Sequence, residues 1–226
     1  CWDVNMNGSI NIMDAAVGLK LGTVIIPSSI AAFGPETPRF DTPQETVLKP
    51  KTMYGVTKVC GELLGDYYVK KLGADIRGLR YPGIISSETP PGGGTTDYAV
   101  DIFYEAIKKG EYTCFVREDT MLPMMYMPDC IKATIDLAEA DRDGLIHPCE
   151  YNLSALSFTA GDLAAEIRKH IPGFKVVYEP DFRQAIADTW PASIDDSAAR
   201  EEWGWKPAWN MESMTRDMIE KLSARL

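Results

Sequence analysis

The feature that most constrains the fold is a repeated order of amphipathic helix, glycine and short β-branched run. Apolar residues at helical spacing predict a helix over residues 5–21, and Gly22 stands where a C-terminal glycine is expected. The run TVII at residues 23–26 then has the composition of a strand buried on both faces. A second helix is predicted over residues 54–72 and a second strand over residues 75–81. Helices that alternate with buried strands favour an α/β fold with a parallel sheet.

Beyond residue 83 the pattern continues in a looser form with more loops. Helices are predicted over residues 97–109, 128–140, 159–170, 195–203 and 211–226, and strands over residues 112–117, 124–127, 151–153 and 174–178. Residues 159–162, with the sequence TAGD, have the pattern of a capping box that opens a helix. The change of composition predicts a boundary near residue 83.

Composition and charge exclude several classes of function. The 226 residues carry 33 acidic and 23 basic side chains, a net charge of −10, so nucleic acids and anionic membranes are not expected as partners. No apolar run approaches the roughly 18 residues that a membrane-spanning helix needs. The five cysteines show no CxxC spacing and only two histidines are present, so the sequence predicts reduced thiols and no metal site.

The residues that carry chemistry follow the first strand and open the second long helix. Tyr54 and Lys58 are four apart and therefore share one helix face. An ammonium beside a phenol stabilises the phenolate, which makes such a tyrosine usable as a general base, although the spacing also fits a half-buried tyrosine beside an exposed lysine. Pro27, Ser28 and Ser29 follow the strand, and ligands of parallel sheets bind beyond the carboxyl ends of strands. Ser29 is therefore a candidate to hold the oxygen on which Tyr54 acts, against the plainer alternative of a turn or cap.

These residues carry a resemblance to a known family. Ser29, Tyr54 and Lys58 resemble the Ser–Tyr–Lys triad of the short-chain dehydrogenase/reductase superfamily, in its extended, epimerase-like type. Longer runs are similar to the branch of that superfamily that acts on L-threonine: PSSIAAFGP at residues 27–35, LRYPGIIS at 79–86, PGGGTTDYAV at 91–100, LPMMY at 122–126 and QAIADTWP at 184–191. The loop at residues 41–49 does not match it.

The resemblance implies a fold and two domains. The fold is a Rossmann-type, doubly wound parallel sheet with a smaller α+β substrate domain. Residues 1–83 would form a portion of the dinucleotide-binding domain with the catalytic residues. Residues 84–226 would form mainly the substrate-binding domain, with some segments returning to the sheet.

The resemblance also implies a reaction, the NAD-dependent oxidation of the 3-hydroxyl of L-threonine to 2-amino-3-oxobutanoate. Tyr54 would take the hydroxyl proton, Lys58 would support Tyr54 and hold the nicotinamide ribose, and Ser29 would orient the hydroxyl. The residues expected to contact the cofactor are Pro27, Tyr54, Lys58, Tyr81, Pro82, Gly83 and Ile84. Those expected to contact the substrate are Ser28, Ser29, Tyr54, Gly93, Thr95, Thr96 and Trp190. The amides and hydroxyls of residues 92–96 are suited to receive a carboxylate, with a plain flexible linker as the alternative.

Two other functions stay open on the sequence. A nucleotide-sugar epimerase or dehydratase would use the same triad, but the short glycine-rich loop at residues 90–96 favours a small substrate. A non-catalytic fragment or relative is disfavoured by the intact triad.

Three further expectations concern the protein beyond the site. No glycine fingerprint follows a strand in the 226 residues, so we expect about 80 residues that carry it to precede Cys1. The resemblance implies a homodimer formed by helices 5–21 and 54–72. It also implies a location in the cytoplasm of a bacterium or the mitochondrion of a eukaryote.

Overall fold

A computed structural model describes all 226 residues. Its helices are α1 (Gly8–Gly18), α2 (Met53–Leu72), α3 (Tyr98–Lys109), α4 (Met127–Glu139), α5 (Ala160–His170), α6 (Phe182–Ala187), α7 (Ser197–Trp203) and α8 (Met211–Ser223). Its strands are β1 (Val24–Ser29), β2 (Ile76–Tyr81), β3 (Gly83–Ile85), β4 (Glu111–Cys114), β5 (Met121–Tyr126), β6 (Tyr151–Asn152), β7 (Leu156–Thr159) and β8 (Lys175–Tyr178). A π-helical turn at Asp3–Asn7 leads into α1, and 3₁₀ turns lie at Ile30–Ala32 and Arg142–Gly144.

The first sheet is parallel and has the strand order β1-β2-β6. Helices cover both faces of this sheet. Since successive side chains of a strand point to opposite sides, one strand can contact helices on both faces. On β2, Ile76 packs with Met13 of α1 and Tyr68 of α2, whereas Leu79 packs on the other face with Leu137 of α4. The predicted α/β architecture with a parallel sheet is therefore confirmed.

Two smaller sheets form the rest of the chain. Strand β5 pairs parallel with β3 and antiparallel with β7, and β4 pairs parallel with β8. The largest core of the protein lies here, where α3, α5 and α8 pack together with these strands. The short strand β6 belongs instead to the first sheet, beside β2. The division at residue 83 into two functional domains stays a prediction.

Most predicted elements exist, and the differences have local reasons. The helix predicted over residues 5–21 begins as a π-helical turn and ends at Gly18. The capping box is present, since Thr159 accepts from the amide of Asp162 and the Asp162 side chain accepts from the amide of Thr159. The strand predicted over residues 75–81 does end at Tyr81, but a further strand, β3, begins at Gly83 and joins another sheet.

Three elements were not predicted at all, namely β3, β7 and α6. They have three, four and six residues, too few for a hydrophobic period to stand out. The methionines of β5 include Met124 and Met125, which are fully buried in the core. No helix in the structure combines the length and the apolar character that a bilayer crossing requires.

One half-buried carboxyl group, that of Glu150, lies directly before β6. Burial, with Glu62 and Asp66 nearby, raises the pKa of Glu150 to about 6, against the opposing effect of Arg80 and His147. A raised carboxyl pKa means that the folded state binds the proton more tightly than the unfolded state. Glu150 therefore contributes fully to the stability of the folded protein below pH 4.5, and this contribution is lost as the pH rises through about 6.

We therefore expect Glu150→Gln to stabilise the protein above pH 6 and to have little effect below pH 4.5. At pH 8 the free energy of unfolding of the variant should exceed that of the wild type by about 2 kcal/mol, which corresponds to the rise of the Glu150 pKa from 4.5 to about 6. Urea denaturation between pH 4 and pH 8 measures it, with Glu179→Gln as the control because Glu179 is exposed. A stability difference between wild type and Glu150→Gln that does not vary with pH would contradict the prediction.

Candidate active site

The start of α2 is fixed in place by a cap and a close approach. The side chain of Thr52 accepts a hydrogen bond from the Gly55 amide at 3.0 Å, so the helix begins at Met53 and Tyr54 lies in its first turn. A Cβ atom on Gly55 would lie 2.1 Å from the carbonyl oxygen of Ala31, and no side chain can be accommodated there. Glycine therefore lets the helix start pack directly on the turn that follows β1.

Lys58 joins the helix to the strand end. Its ammonium donates to the carbonyl oxygen of Pro27 at 2.7 Å and lies 5.2 Å from the centroid of the Tyr54 ring. Burial lowers the pKa of Lys58, and the negative charge of Glu62 opposes that shift. The predicted tyrosine and lysine therefore share one helix face, with the tyrosine ring 44% exposed.

The two serines at the end of β1 have different surroundings. Ser29 accepts from the amide of Ala31 at 3.2 Å, which caps the 3₁₀ turn and leaves its hydroxyl hydrogen free to donate to another acceptor. Ser28 is buried and donates to Glu62 Oε1 at 2.5 Å. The donor of Ser28 is thus engaged within the protein, and its predicted contact with substrate stays a prediction.

A cleft of about 660 Å³ brings the predicted residues together. It is lined by Pro27, Ser28, Ser29, Ile30, Thr52, Tyr54, Lys58, Tyr81, Pro82, Gly83, Ile84, Gly94, Thr95, Thr96, Asp97, Cys130, Ile186 and Trp190. Every residue predicted to contact cofactor or substrate is in this set except Gly93, whose neighbour Gly94 lines the cleft instead. A second cavity, of about 650 Å³, shares Pro27, Ser28 and Lys58 and extends towards α1.

The cleft holds one acidic and one basic side chain, Asp97 and Lys58. Asp97 was not predicted as a site residue. Its carboxylate accepts from the amides of Gly92 and Gly94, at 2.7 and 2.9 Å, and so holds the glycine-rich loop against the start of α3. The only sequence signal for this role is its position as the first residue of the helix predicted over residues 97–109. Thr52, Cys130 and Ile186 were also missed, because only the tertiary fold brings them to the cleft.

Four further side chains have defined surroundings. Arg80 pairs with Glu62, and both side chains are buried. Trp190 lines the cleft and also packs against the core. Asp129 accepts from the amides of Ala208 and Trp209. His147 lies between Glu202 and Glu45 with 19% of its side chain exposed.

Comparison with known proteins places this geometry in a family. Residues 1–153 match the NAD dependent epimerase/dehydratase family. Over 225 residues the chain is 51% identical to an uncharacterized epimerase/dehydratase of Staphylococcus haemolyticus, covering 99% of the chain and 70% of that protein. It is 49% identical over 219 residues to the mitochondrial L-threonine 3-dehydrogenase of Bos taurus, covering 96% of the chain and 58% of that enzyme.

A solved structure is equally similar. The crystal structure of L-threonine dehydrogenase from Phytophthora infestans superimposes with a TM-score of 0.97 at 54% identity, covering 99% of this chain and 72% of that one. This match confirms the Rossmann-type α/β fold that the resemblance implied. With a family model that covers more than half of its residues, the chain belongs to the NAD dependent epimerase/dehydratase family.

Proposed function

We propose that this chain carries the catalytic centre of an NAD-dependent L-threonine 3-dehydrogenase. The observation that supports the proposal most directly is the shared cleft. Tyr54, Lys58 and Ser29 line it together with the glycine-rich loop and a single carboxylate, Asp97.

The reaction removes a hydride and a proton from a secondary alcohol. When bound, NAD⁺ would supply the acceptor for the hydride that leaves C3 of threonine. The Tyr54 phenolate takes the hydroxyl proton, and the product is the ketone 2-amino-3-oxobutanoate. Ser29 donates to the same oxygen with the hydrogen that its own cap leaves free. Lys58, held by the Pro27 carbonyl, places a positive charge 5.2 Å from the centroid of the phenol ring.

The cofactor side of the cleft has a shape and chemistry that suit a nicotinamide ring. Tyr81, Pro82, Gly83 and Ile84 form a largely apolar wall. The Tyr81 hydroxyl lies 2.6 Å from Thr134 Oγ1, which fixes its ring. Gly83 fits closely against its neighbours, because a Cβ atom there would lie 2.3 Å from Met124 Sδ and 2.9 Å from Thr96 Cγ2. Together with the ammonium of Lys58, these residues are the ones that would hold the nicotinamide and its ribose.

Charge in the cleft favours an amino acid over a nucleotide sugar. A zwitterion needs one acidic partner and hydrogen-bond donors for its carboxylate. Asp97 is the only acid that lines the cleft, and we assign it to the ammonium group. The hydroxyls of Thr95 and Thr96 supply donors for the carboxylate. A nucleotide diphosphate would instead call for basic side chains, and Lys58 is the only one present.

A substrate panel tests the proposal. We expect L-threonine to reduce NAD⁺, and 3-hydroxybutanoate, which lacks the ammonium, to have a kcat/KM at least about 10-fold lower because Asp97 is left unpaired. NADH absorbance measures both rates. UDP-glucose serves as the competing substrate. Its epimerisation or dehydration, with no oxidation of L-threonine, would support the alternative of a nucleotide-sugar epimerase or dehydratase and overturn the proposal.

The role of Tyr54 has its own test. Tyr54→Phe should lower kcat by roughly 10²- to 10⁴-fold, the usual contribution of a positioned acid or base, and leave NAD binding within about two-fold. Steady-state kinetics and calorimetric titration with NAD⁺ measure the two effects. Tyr104→Phe, which removes a phenol hydroxyl from α3 outside the cleft, is the matched control. Unchanged turnover in Tyr54→Phe would show that another group takes the proton.

We also propose that two copies associate through α1 and α2. One side of α2 is covered within the chain. Leu64 and Tyr68 pack inward against α1, and Tyr68 donates to Asp14 at 2.6 Å. Leu63 and Tyr67 face outward on α2, with exposed fractions of 66% and 53%. On and just beyond α1, Ile12, Leu19 and Leu21 are also exposed, with fractions of 51%, 73% and 46%.

We expect sedimentation equilibrium to give about twice the chain mass of 25.1 kDa. Leu63→Asp should dissociate the pair, because it would bury an unpaired carboxylate in an apolar interface. Val177→Asp is the control, since Val177 is also exposed but lies on β8, away from both helices. A wild-type mass of one chain would contradict the proposal.

A further inference from the structure

Three polar side chains lie side by side across the first sheet. Ser28, Arg80 and Asn152 are register partners on β1, β2 and β6, each next to the carboxyl end of its strand. Residues in register on adjacent strands point to the same face. That face is the one on which α2 packs, and Glu62 of α2 reaches down to it.

Glu62 is the centre of this buried network. Its carboxylate accepts from Ser28 at 2.5 Å and from Arg80 twice, through Nε at 3.0 Å and Nη2 at 2.9 Å. Nη1 of Arg80 donates to Asn152 Oδ1 at 3.1 Å and to the carbonyl of Gln44 at 3.2 Å. The side chains of Arg80 and Glu62 are 4% and 5% exposed. A buried ion pair of this kind contributes little net stability, because desolvation offsets the attraction, but its geometry is highly determined.

The network closes a ring that contains the catalytic lysine. Glu62 lies one helical turn after Lys58 on α2. Ser28 follows Pro27, whose carbonyl accepts from the Lys58 ammonium. Two links of the ring are therefore covalent, the Pro27–Ser28 peptide and the helical turn from residue 58 to residue 62. The other two links are hydrogen bonds, one from Ser28 to Glu62 and one from Lys58 to Pro27. Loss of the hydrogen bond from Ser28 to Glu62 must alter the direction of the Pro27 carbonyl. It must therefore disturb the hydrogen bond from Lys58 to that carbonyl.

We propose that Glu62, held by two hydrogen bonds from Arg80, is a positioning residue for Lys58. Through Ser28 it fixes the Pro27 carbonyl that holds the Lys58 ammonium, and it thereby sets where Lys58 stands beside Tyr54. The role rests on the proposed use of Lys58 but not on the identity of the substrate. It also gives Ser28 a function within the protein that differs from a direct contact with substrate.

Ser28→Ala is the variant that tests this ring, because it breaks one link and leaves the buried ion pair intact. The first readout needs no turnover, namely competitive labelling of lysines with acetic anhydride, followed by mass spectrometry. Only the neutral amine reacts. A lysine that loses a fixed acceptor holds its proton less tightly, so we expect Lys58 to be labelled at least about 3-fold faster near pH 8. The second readout is kinetic, with kcat about 10-fold lower and KM for L-threonine within two-fold.

Asp75→Asn is the matched control. Asp75 lies directly before β2 and is the buried partner of Arg77. Arg77 is on the same strand as Arg80 but points to the opposite face. Its loss should leave the Lys58 labelling rate and kcat unchanged, apart from any general loss of stability. Glu62→Gln removes the charge itself and should increase Lys58 labelling further. If that variant does not fold, Ser28→Ala still decides the question.

The outcomes separate this role from the alternatives. Unchanged labelling of Lys58 in Ser28→Ala would overturn the proposal. A raised KM with unchanged kcat would overturn it in favour of a direct contact between Ser28 and substrate. If the wild-type protein does not oxidise L-threonine but labelling changes as expected, the positioning role stands and the proposed function fails.

Discussion

The site depends on one contact between a helix and a strand end, the hydrogen bond from the Lys58 ammonium to the Pro27 carbonyl. In a parallel sheet the carboxyl ends of the strands lie at the same edge. A helix can place a side chain at that edge only if the first turn of the helix is fixed in position. The cap at Thr52 and the missing side chain at Gly55 hold it. Tyr54, in the same first turn, then faces the cleft with Lys58 beside its ring. The chemistry proposed here follows from that placement.

The same scaffold explains why the relatives carry different names. The resemblance implies the same triad for a dehydrogenase and for a sugar epimerase, so the triad alone does not distinguish their substrates. The rest of the cleft must do so. Here the discriminating features are a glycine-rich loop held by Asp97 and a lining that offers one acid and one base. These features suit a small zwitterion and give a diphosphate few partners.

Much of this could be predicted from the sequence, for identifiable reasons. Long helices and buried strands repeat their apolar residues with a clear period, which is why α2, α3, β1 and β2 were found within a few residues of their bounds. The residues proposed to be catalytic stood out because tyrosine, lysine and serine occur at spacings that match a helix face and a strand end. Elements of three to six residues, such as β3 and α6, carry no such period. The partners of buried charges were also missed, since Glu62 and Arg80 are 18 residues apart in sequence and meet only in the fold.

The sequence by itself determined the α/β class, the order of the main elements, the Tyr54–Lys58 pair and the strand-end serines, because each depends on local periodicity or spacing. Only the tertiary structure decided how those residues are used. It engaged the Ser28 hydroxyl with Glu62, brought Asp97 into the cleft and turned Tyr68 inward while leaving Tyr67 exposed. The physical reason is that hydrogen bonds and ion pairs in a buried region are made between strands and helices that are distant in the chain. Their partners are therefore fixed by packing, and no local pattern of residues specifies them.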